Sequence, residues 1–237
     1  MNQNNILVSI IIATYNAEDH IGNALASLIP NINESTEIII VDGLSKDNTL
    51  NIISEYKNHI AKVCSEKDKG IYDAMNKGVS MASGKFILFL GADDKLLINI
   101  NELTPLLLRD DTIYYGDVLI NNSNVNYGGK FNLAKLLNKN ICHQSILYPR
   151  SVLAKYPFDL RYKLMADYVL NMKLWSTKNI NFSYIDRIIA QYSLEGESSR
   201  NKDLVFQKDS IKMVYDLFGF YGLAIKSFNP VRRIFKF

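Results

Sequence analysis

Three apolar runs limit what this chain can fold into. "ILVSIIIA" (Ile6–Ala13), "EIIIV" (Glu37–Val41) and "KFILFL" (Lys85–Leu90) carry aliphatic or aromatic residues on both parities. A strand with one wet face alternates apolar and polar positions, so these runs belong to strands covered on both faces. Between them the apolar spacing becomes helical: Ile21, Leu25 and Leu28, then Leu50, Ile53 and Tyr56 behind a Ser45 or Asp47 cap, then "IYDAMNKGVSMA". A weaker strand, "IAKVC", precedes the charged loop "SEKDKG". This alternation predicts an α/β fold with a mostly parallel, Rossmann-like central sheet flanked by helices.

After Thr104-Pro105 the texture changes. "TIYYGDVLINNSNVNYGGKF" predicts a hairpin or meander of short strands joined by Gly/Asn turns. Further on, the pattern predicts a helix over Tyr162–Trp175, strands near Phe182–Tyr184 and Ile188–Tyr192, and a last helix over Asp203–Leu217. The expected organisation is an α/β half (1–110), a mixed half (111–200), and a C-terminal helix with a tail (201–237).

Bulk properties exclude several classes. A net charge of +3 over 237 residues gives no case for nucleic acid as a partner. Cys64 and Cys142 stand alone, without metal-knuckle spacing, and read as reduced thiols of a cytoplasmic protein. "MNQNN" lacks the basic start of a signal peptide, and no apolar stretch approaches the ~18 residues that span a bilayer.

In an open α/β sheet, ligands bind beyond the carboxyl ends of the strands. Those ends carry Thr14, Tyr15 and Asn16; Asp42 and Gly43; Glu66, Asp68, Lys69 and Gly70; and the adjacent pair Asp93 and Asp94. No G-x-G-x-x-G or G-x-x-x-x-G-K-[ST] is present, which speaks against a dinucleotide or P-loop site. A phosphorylated ligand would then need Mg²⁺ or Mn²⁺ held by carboxylates, and Asp93-Asp94 is the best pair for it.

Taken in order, "VSIIIATYNAEDHIGNALASL", "EIIIVDGLSKDNT", "SEKDKGIYDAMNKGVSMASGKFILFLGADD", "CHQSILYPR" and "FDLRYKLMADYVL" resemble the family 2 glycosyltransferases of GT-A fold, over Leu7 to Ser199. The "E-x-D-x-G-I-Y-D-A-M-N-K-G" stretch is similar to bacterial enzymes of O-antigen and surface-polysaccharide synthesis. The resemblance implies an inverting transfer of glucose or galactose from a UDP-sugar to a polyprenyl-diphosphate-linked sugar, forming a β-linkage. It implies that Thr14, Tyr15 and Glu18 line the nucleotide pocket, with Asp42 on the uracil and Lys69 and Lys77 on the donor side. It places Asp93 on the ribose or metal, Asp94 on a Mn²⁺ or Mg²⁺ ion that bridges the diphosphate, and Asp167 as catalytic base. His143, Gln144 and Asp117 become acceptor-side candidates.

The sequence departs from many relatives at Gly91, where they carry a further Asp, and at Ala166, where they carry Glu before the base. The Q-x-x-R-W of processive synthases is absent. Asp73 and Asn76 read as braces of their helix, and Met75 and Met81 as core. The basic and aromatic end "FGFYGLAIKSFNPVRRIFKF" suits a peripheral contact with the cytoplasmic face of the inner membrane, or a packed tail. Two other readings are a sugar nucleotidyltransferase, which lacks its Gly-rich loop here, and an inactive nucleotide-sugar-binding module.

Overall fold

The structure, a computed structural model, describes residues 6–121, 125–193 and 201–228. The first apolar runs form parallel strands β1 (Val8–Thr14), β2 (Thr36–Asp42), β3 (Lys62–Ser65) and β4 (Phe86–Gly91), in the order β3-β2-β1-β4. The second half adds β5 (Lys95–Leu96), β6 (Thr112–Ile120), β7 (Val125–Tyr127), β8 (Ile146–Pro149) and β9 (Asn181–Tyr192). The sheet continues β4-β8-β6-β9-β5, with β7 paired to β6 as the hairpin the Gly/Asn turns predict. Among the described strands, only β5, β7 and β8 run against the rest. Because β8 lies between β4 and β6, both halves of the chain share one sheet.

Both faces of the central strands are covered, which is why their sequence shows no polar parity. Ile10, Ile12, Ile38, Ile40, Leu88 and Leu90 pack toward α1 (Ile21–Leu28), α2 (Thr49–Glu55) and α4 (Ile100–Leu103). Their neighbours Ile11, Ala13, Ile39, Val41, Ile87 and Phe89 face α3 (Ile71–Met81), α5 (Leu133–Leu136), α6 (Arg150–Lys155), α7 (Ala166–Trp175) and α8 (Leu204–Phe228). Contact is close at Gly78, where a Cβ would lie 2.4 Å from Ile11 Cγ2, so glycine lets α3 press onto β1. Met75 is buried and Met81 partly so.

Three elements differ from their predicted extent. The helix expected from Tyr162 begins at Ala166, because the carboxylate of Asp203 accepts from the backbone N–H groups of Leu164 (2.9 Å) and Met165 (3.3 Å). Those amides are satisfied by a distant side chain, so the segment stays a turn. The two short strands near residues 182 and 188 are one strand, β9, with a register irregularity opposite Asp117. The last helix runs on to Phe228 and breaks at Gly219, whose φ of 63° lies in the left-handed region. Among the described residues, no helix is long and apolar enough to cross a membrane. Arg232, Arg233 and Lys236 of the basic tail lie outside the described residues.

Register fixes the reactive edge. Thr14 pairs with Asp42, Asp42 with Ser65, and Ala13 with Gly91. Strands β1 to β4 therefore end at one level, and β9, which also runs this way, delivers Ser193 beside Asp94.

Candidate active site

The edge is built first by two loops that bind each other. Asn16 Oδ1 accepts from Lys46 N (2.9 Å), Glu18 Oε2 from Asn48 N (2.7 Å) and Asp47 Oδ2 from Glu18 N (3.1 Å). The turns need left-handed backbone at Asn16 (φ 46°) and Leu44 (φ 64°). These bonds join the loop after β1 to the loop after β2, and Glu18 takes part as a strut. Behind them Asp42 is fully buried and accepts from Ser45 N (3.1 Å), Ser45 Oγ (2.5 Å) and Ser65 Oγ (2.6 Å). A carboxylate has room for a fourth donor.

Thr14 and Tyr15 behave differently. Tyr15 is 59% exposed, while Thr14 is buried. Thr14 Oγ1 is, among the described residues, the only buried side-chain polar atom without a hydrogen-bond partner. Buried hydroxyls are seldom left so, and at a strand end this one invites a ligand atom. Gly43 leaves the floor flat here: a Cβ would come 2.6 Å from Asp68 Oδ2 and 3.3 Å from the Tyr15 ring.

Lys69 is exposed, and its backbone ties the loop to α3 through Asp73. Lys77 turns back toward its own loop, 2.8 Å from Glu66 and 3.6 Å from Asp73, with a bond to the Lys67 carbonyl. Its bond to Glu66 holds its ammonium above the ordinary lysine value. Asn76 braces α3 as expected, its amide bonding both the N–H and the carbonyl of Phe158.

The second cluster gathers around the acidic turn after β4. Asp94 is buried; its Oδ2 accepts from Gln144 Nε2 (2.9 Å) and Gly91 N (2.9 Å), and its Oδ1 from Ser193 N (2.9 Å). Burial, then the neighbouring Asp93, push its carboxyl up to about 6. Asp93 is half-buried and accepts no hydrogen bond from the described residues. A side chain at position 91 has no room: its Cβ would lie 2.5 Å from Asp94 Oδ2 and 2.9 Å from Asp93 Oδ1. The glycine is thus the space into which the two carboxylates fold.

Asp167 lies in the first turn of α7. It is buried, and its Oδ1 accepts from Tyr72 OH (2.8 Å) and Tyr168 N (2.8 Å). Oδ2 accepts from Asn140 Nδ2 (2.9 Å) and lies 3.3 Å from His143 Nδ1. Asn140 is held in turn by Asn171, and Asn171 by Tyr148. One short turn, His143–Ser145, therefore carries His143 to Asp167 and Gln144 to Asp94. Gln144 is buried with its amide nitrogen on Asp94, the geometry of a positioning group. Asp117 stands apart from this cluster, accepting from Gly129 N and Tyr184 OH (3.1 Å).

Asp93 and Asp94 fit a hard divalent cation. Among the described residues Asp93 has no donor on it and Asp94 Oδ1 has one, and their mutual repulsion is the kind a cation removes. Among the described residues no group of three or more ligating side chains gathers. A cation on this pair would complete its shell with phosphate oxygens and water.

The sequence profile of Glycosyl transferase family 2 matches residues 9–156, more than half of the chain, including the ends of β1 to β4 and the His143 turn. The chain is a family 2 glycosyltransferase. This glycosyltransferase is 35% identical over 201 residues to a PGL/p-HBAD biosynthesis glycosyltransferase of Mycobacterium bovis, covering 79% of this chain and 77% of that one. It is 30% identical over 239 residues to the Escherichia coli UDP-Glc:alpha-D-GlcNAc-diphosphoundecaprenol beta-1,3-glucosyltransferase WfgD, covering 97% and 90%. Its fold matches S. aureus TarS in complex with UDP-GlcNAc at a TM-score of 0.73, with 21% identity, covering 95% of this chain and 74% of that one. It also matches the Pyrobaculum calidifontis mannosyltransferase PcManGT, in complex with GDP-Man and Mn²⁺, at 0.67 and 14% identity, covering 93% and 72%. The glycosyltransferase thus has the GT-A fold that its motifs imply.

Four residues of the site escape sequence reading: Tyr72, Asn140, Ser193 and Asp203. Tyr72 sits inside the "GIYDAMN" motif one position into α3, and that setting was its only visible signal. The others come from segments without motif character and act by tertiary placement.

Proposed function

We propose that this enzyme transfers a hexose, glucose first among the candidates, from a UDP-sugar to a saccharide carried on polyprenyl diphosphate, with inversion to a β-linkage. The observation that carries the reading is the turn that joins Asp94 and Asp167 while keeping them on different partners. Asp94 with Asp93 would hold Mn²⁺ or Mg²⁺ and the donor diphosphate, and Asp167 would face the acceptor hydroxyl. Further support comes from the likeness to WfgD, whose name states a UDP-glucose donor and a diphosphoundecaprenol acceptor.

In this reading Thr14, Tyr15, Asp42 and Lys69 receive the nucleoside. The free hydroxyl of Thr14 gains a partner, the exposed ring of Tyr15 covers the base, and Asp42, fully buried with three donors on it, offers its remaining lone pair to a ring N–H. Glu18 and Lys77 serve by holding the loops that frame the pocket. A bound cation would supply Lewis-acid stabilisation of the leaving diphosphate. Asp167 takes the proton of the attacking hydroxyl, with Tyr72 and Asn140 fixing its two oxygens and His143 beside it. Single displacement needs base and leaving group on opposite sides of the sugar, and in this reading Asp167 and the Asp93–Asp94 pair would take those two sides. The exposed Phe220 and Tyr221 at the Gly219 break suit a peripheral membrane contact near a lipid-borne acceptor.

The test is a UDP-release screen across nucleotide sugars with a synthetic polyprenyl-type diphosphate sugar as acceptor. Acceptor-dependent release from UDP-glucose or UDP-galactose is expected. Release confined to a GDP- or dTDP-sugar would overturn the donor, and release with a phosphate-free acceptor only would overturn the acceptor.

A further inference from the structure

The loop between β7 and the His143 turn carries two lysines of unusual setting. Lys135, on α5, is half-buried and donates to the carbonyls of Gly128 and Lys130. Lys139, also half-buried, holds its ammonium 3.3 Å from the centroid of the Tyr127 ring. Of the other half-buried lysines, Lys62 and Lys77 each lie within 4.0 Å of a carboxylate, whereas exposed lysines among the described residues mostly stand unpaired in water. Among the described residues, no carboxylate is that near Lys135 or Lys139. Neutral groups position both, and among the described residues neither ammonium has a contact ion pair.

The two also feel each other. Desolvation lowers both ammonium groups below the ordinary lysine value, and Lys135 lowers Lys139 further. Asp117 opposes this at both sites, but its carboxylate already serves Gly129 N and Tyr184 OH. Two half-desolvated like charges with no carboxylate in contact cost free energy that Asp117 offsets only at a distance and that a bound dianion would return further.

Their place gives that dianion a meaning. The ring beneath Lys139 donates its hydroxyl to the Asn140 carbonyl (2.9 Å), and the Asn140 side chain donates to Asp167 (2.9 Å). One residue thus joins the cation platform to the proposed base. In the acceptor the diphosphate stays attached at the anomeric carbon, and the nucleophilic hydroxyl is carried on another carbon of the same sugar ring. We infer that Lys135 and Lys139 bind the diphosphate of the acceptor, one sugar ring from the hydroxyl that faces Asp167. This rests on the acceptor reading above and adds the residues that would recognise its charged part. The donor's diphosphate has the same chemistry, so the test must separate the two sources.

The experiment compares wild type with Lys139→Gln, Lys135→Gln and Lys139→Arg on two acceptors of one sugar, a lipid diphosphate and a phosphate-free alkyl glycoside. UDP affinity is read by calorimetry and folding by thermal melting. We expect each glutamine variant to lower the ratio of kcat/KM between diphosphate and alkyl acceptors by about tenfold, the scale of one lost charged hydrogen bond. The rise should lie in KM for the diphosphate acceptor, Lys139→Arg should recover most of it, and the UDP Kd should stay at the wild-type value. An unchanged ratio, including one where both acceptors suffer equally, would overturn the inference in favour of a structural role. A weakened UDP Kd would reassign the pair to the donor. If wild type itself shows no preference for the diphosphate acceptor, the acceptor reading fails, and this inference with it.

Discussion

The side-chain amide nitrogen of Gln144 lies 2.9 Å from Oδ2 of the buried carboxylate of Asp94. That bond holds the Asp94 carboxyl down against the burial that pushes it up to about 6. Gln144→Leu removes the donor, so the carboxyl moves higher and fewer molecules are ionised at neutral pH. We expect the acid limb of the pH–kcat/KM profile to shift toward alkaline pH, with about a tenfold loss at pH 6.5 that narrows by pH 8.5. A profile lying on that of the wild type would mean that Asp94 need not be charged for turnover.

Asp93 gives a stability counterpart. Its charge is the second cause, after burial, of the raised Asp94 carboxyl. Between the ordinary value of 3.8 and about 6, folded Asp94 keeps a proton that the unfolded chain has lost. The stability from that proton is full below 3.8 and is lost as pH rises toward 6. Asp93→Asn weakens the shift, so the metal-free variant should be the more stable protein above pH 6, by about 1 kcal/mol at most. Urea denaturation over pH 4 to 8 checks this, and a gain that did not shrink toward pH 4 would contradict it.

Asp203 serves two segments at once, with one oxygen on Phe206 N at the start of α8 and the other on Leu164 and Met165 N before α7. Asp203→Ala removes a helix cap and frees the turn that sets Asp167. The expected cost is about 2–3 kcal/mol in denaturant unfolding, together with a fall in kcat. A variant as active and as stable as wild type would show that the turn holds itself.

The acidic pair predicts a cation requirement. Chelation by EDTA should stop transfer, and Mn²⁺ or Mg²⁺ should restore it, the restored rate in Asp93→Asn needing more metal. Full activity in chelator would remove the cation from the account.

How much of this could be read from the sequence follows from which interactions are local. The double-faced runs at Ile6–Ala13 and Lys85–Leu90 predicted buried parallel strands, because burial on both sides leaves a one-dimensional trace. The acidic turn was legible for the same reason: Asp93 and Asp94 follow the end of their strand. The surroundings of Asp167 were not legible. Tyr72 lies 95 residues away, and Asn140 belongs to a segment with no motif character. α7 starts later than its helical spacing predicts because a carboxylate 39 residues distant holds the preceding turn. Glu18 and Lys77 match the donor-side motif, yet their side chains bind loop groups, which only the folded arrangement displays.

The central claim is that Asp94 serves the donor diphosphate and Asp167 the acceptor proton. The most direct measurement titrates UDP with Mn²⁺ into Asp94→Ala and Asp167→Ala side by side, and assays transfer by each. Asp167→Ala is expected to bind UDP as wild type does while losing about 10²- to 10⁴-fold in turnover, and Asp94→Ala to lose the Mn²⁺-dependent part of UDP binding. Near-normal turnover by Asp167→Ala, or wild-type UDP affinity in Asp94→Ala, would contradict the division of roles.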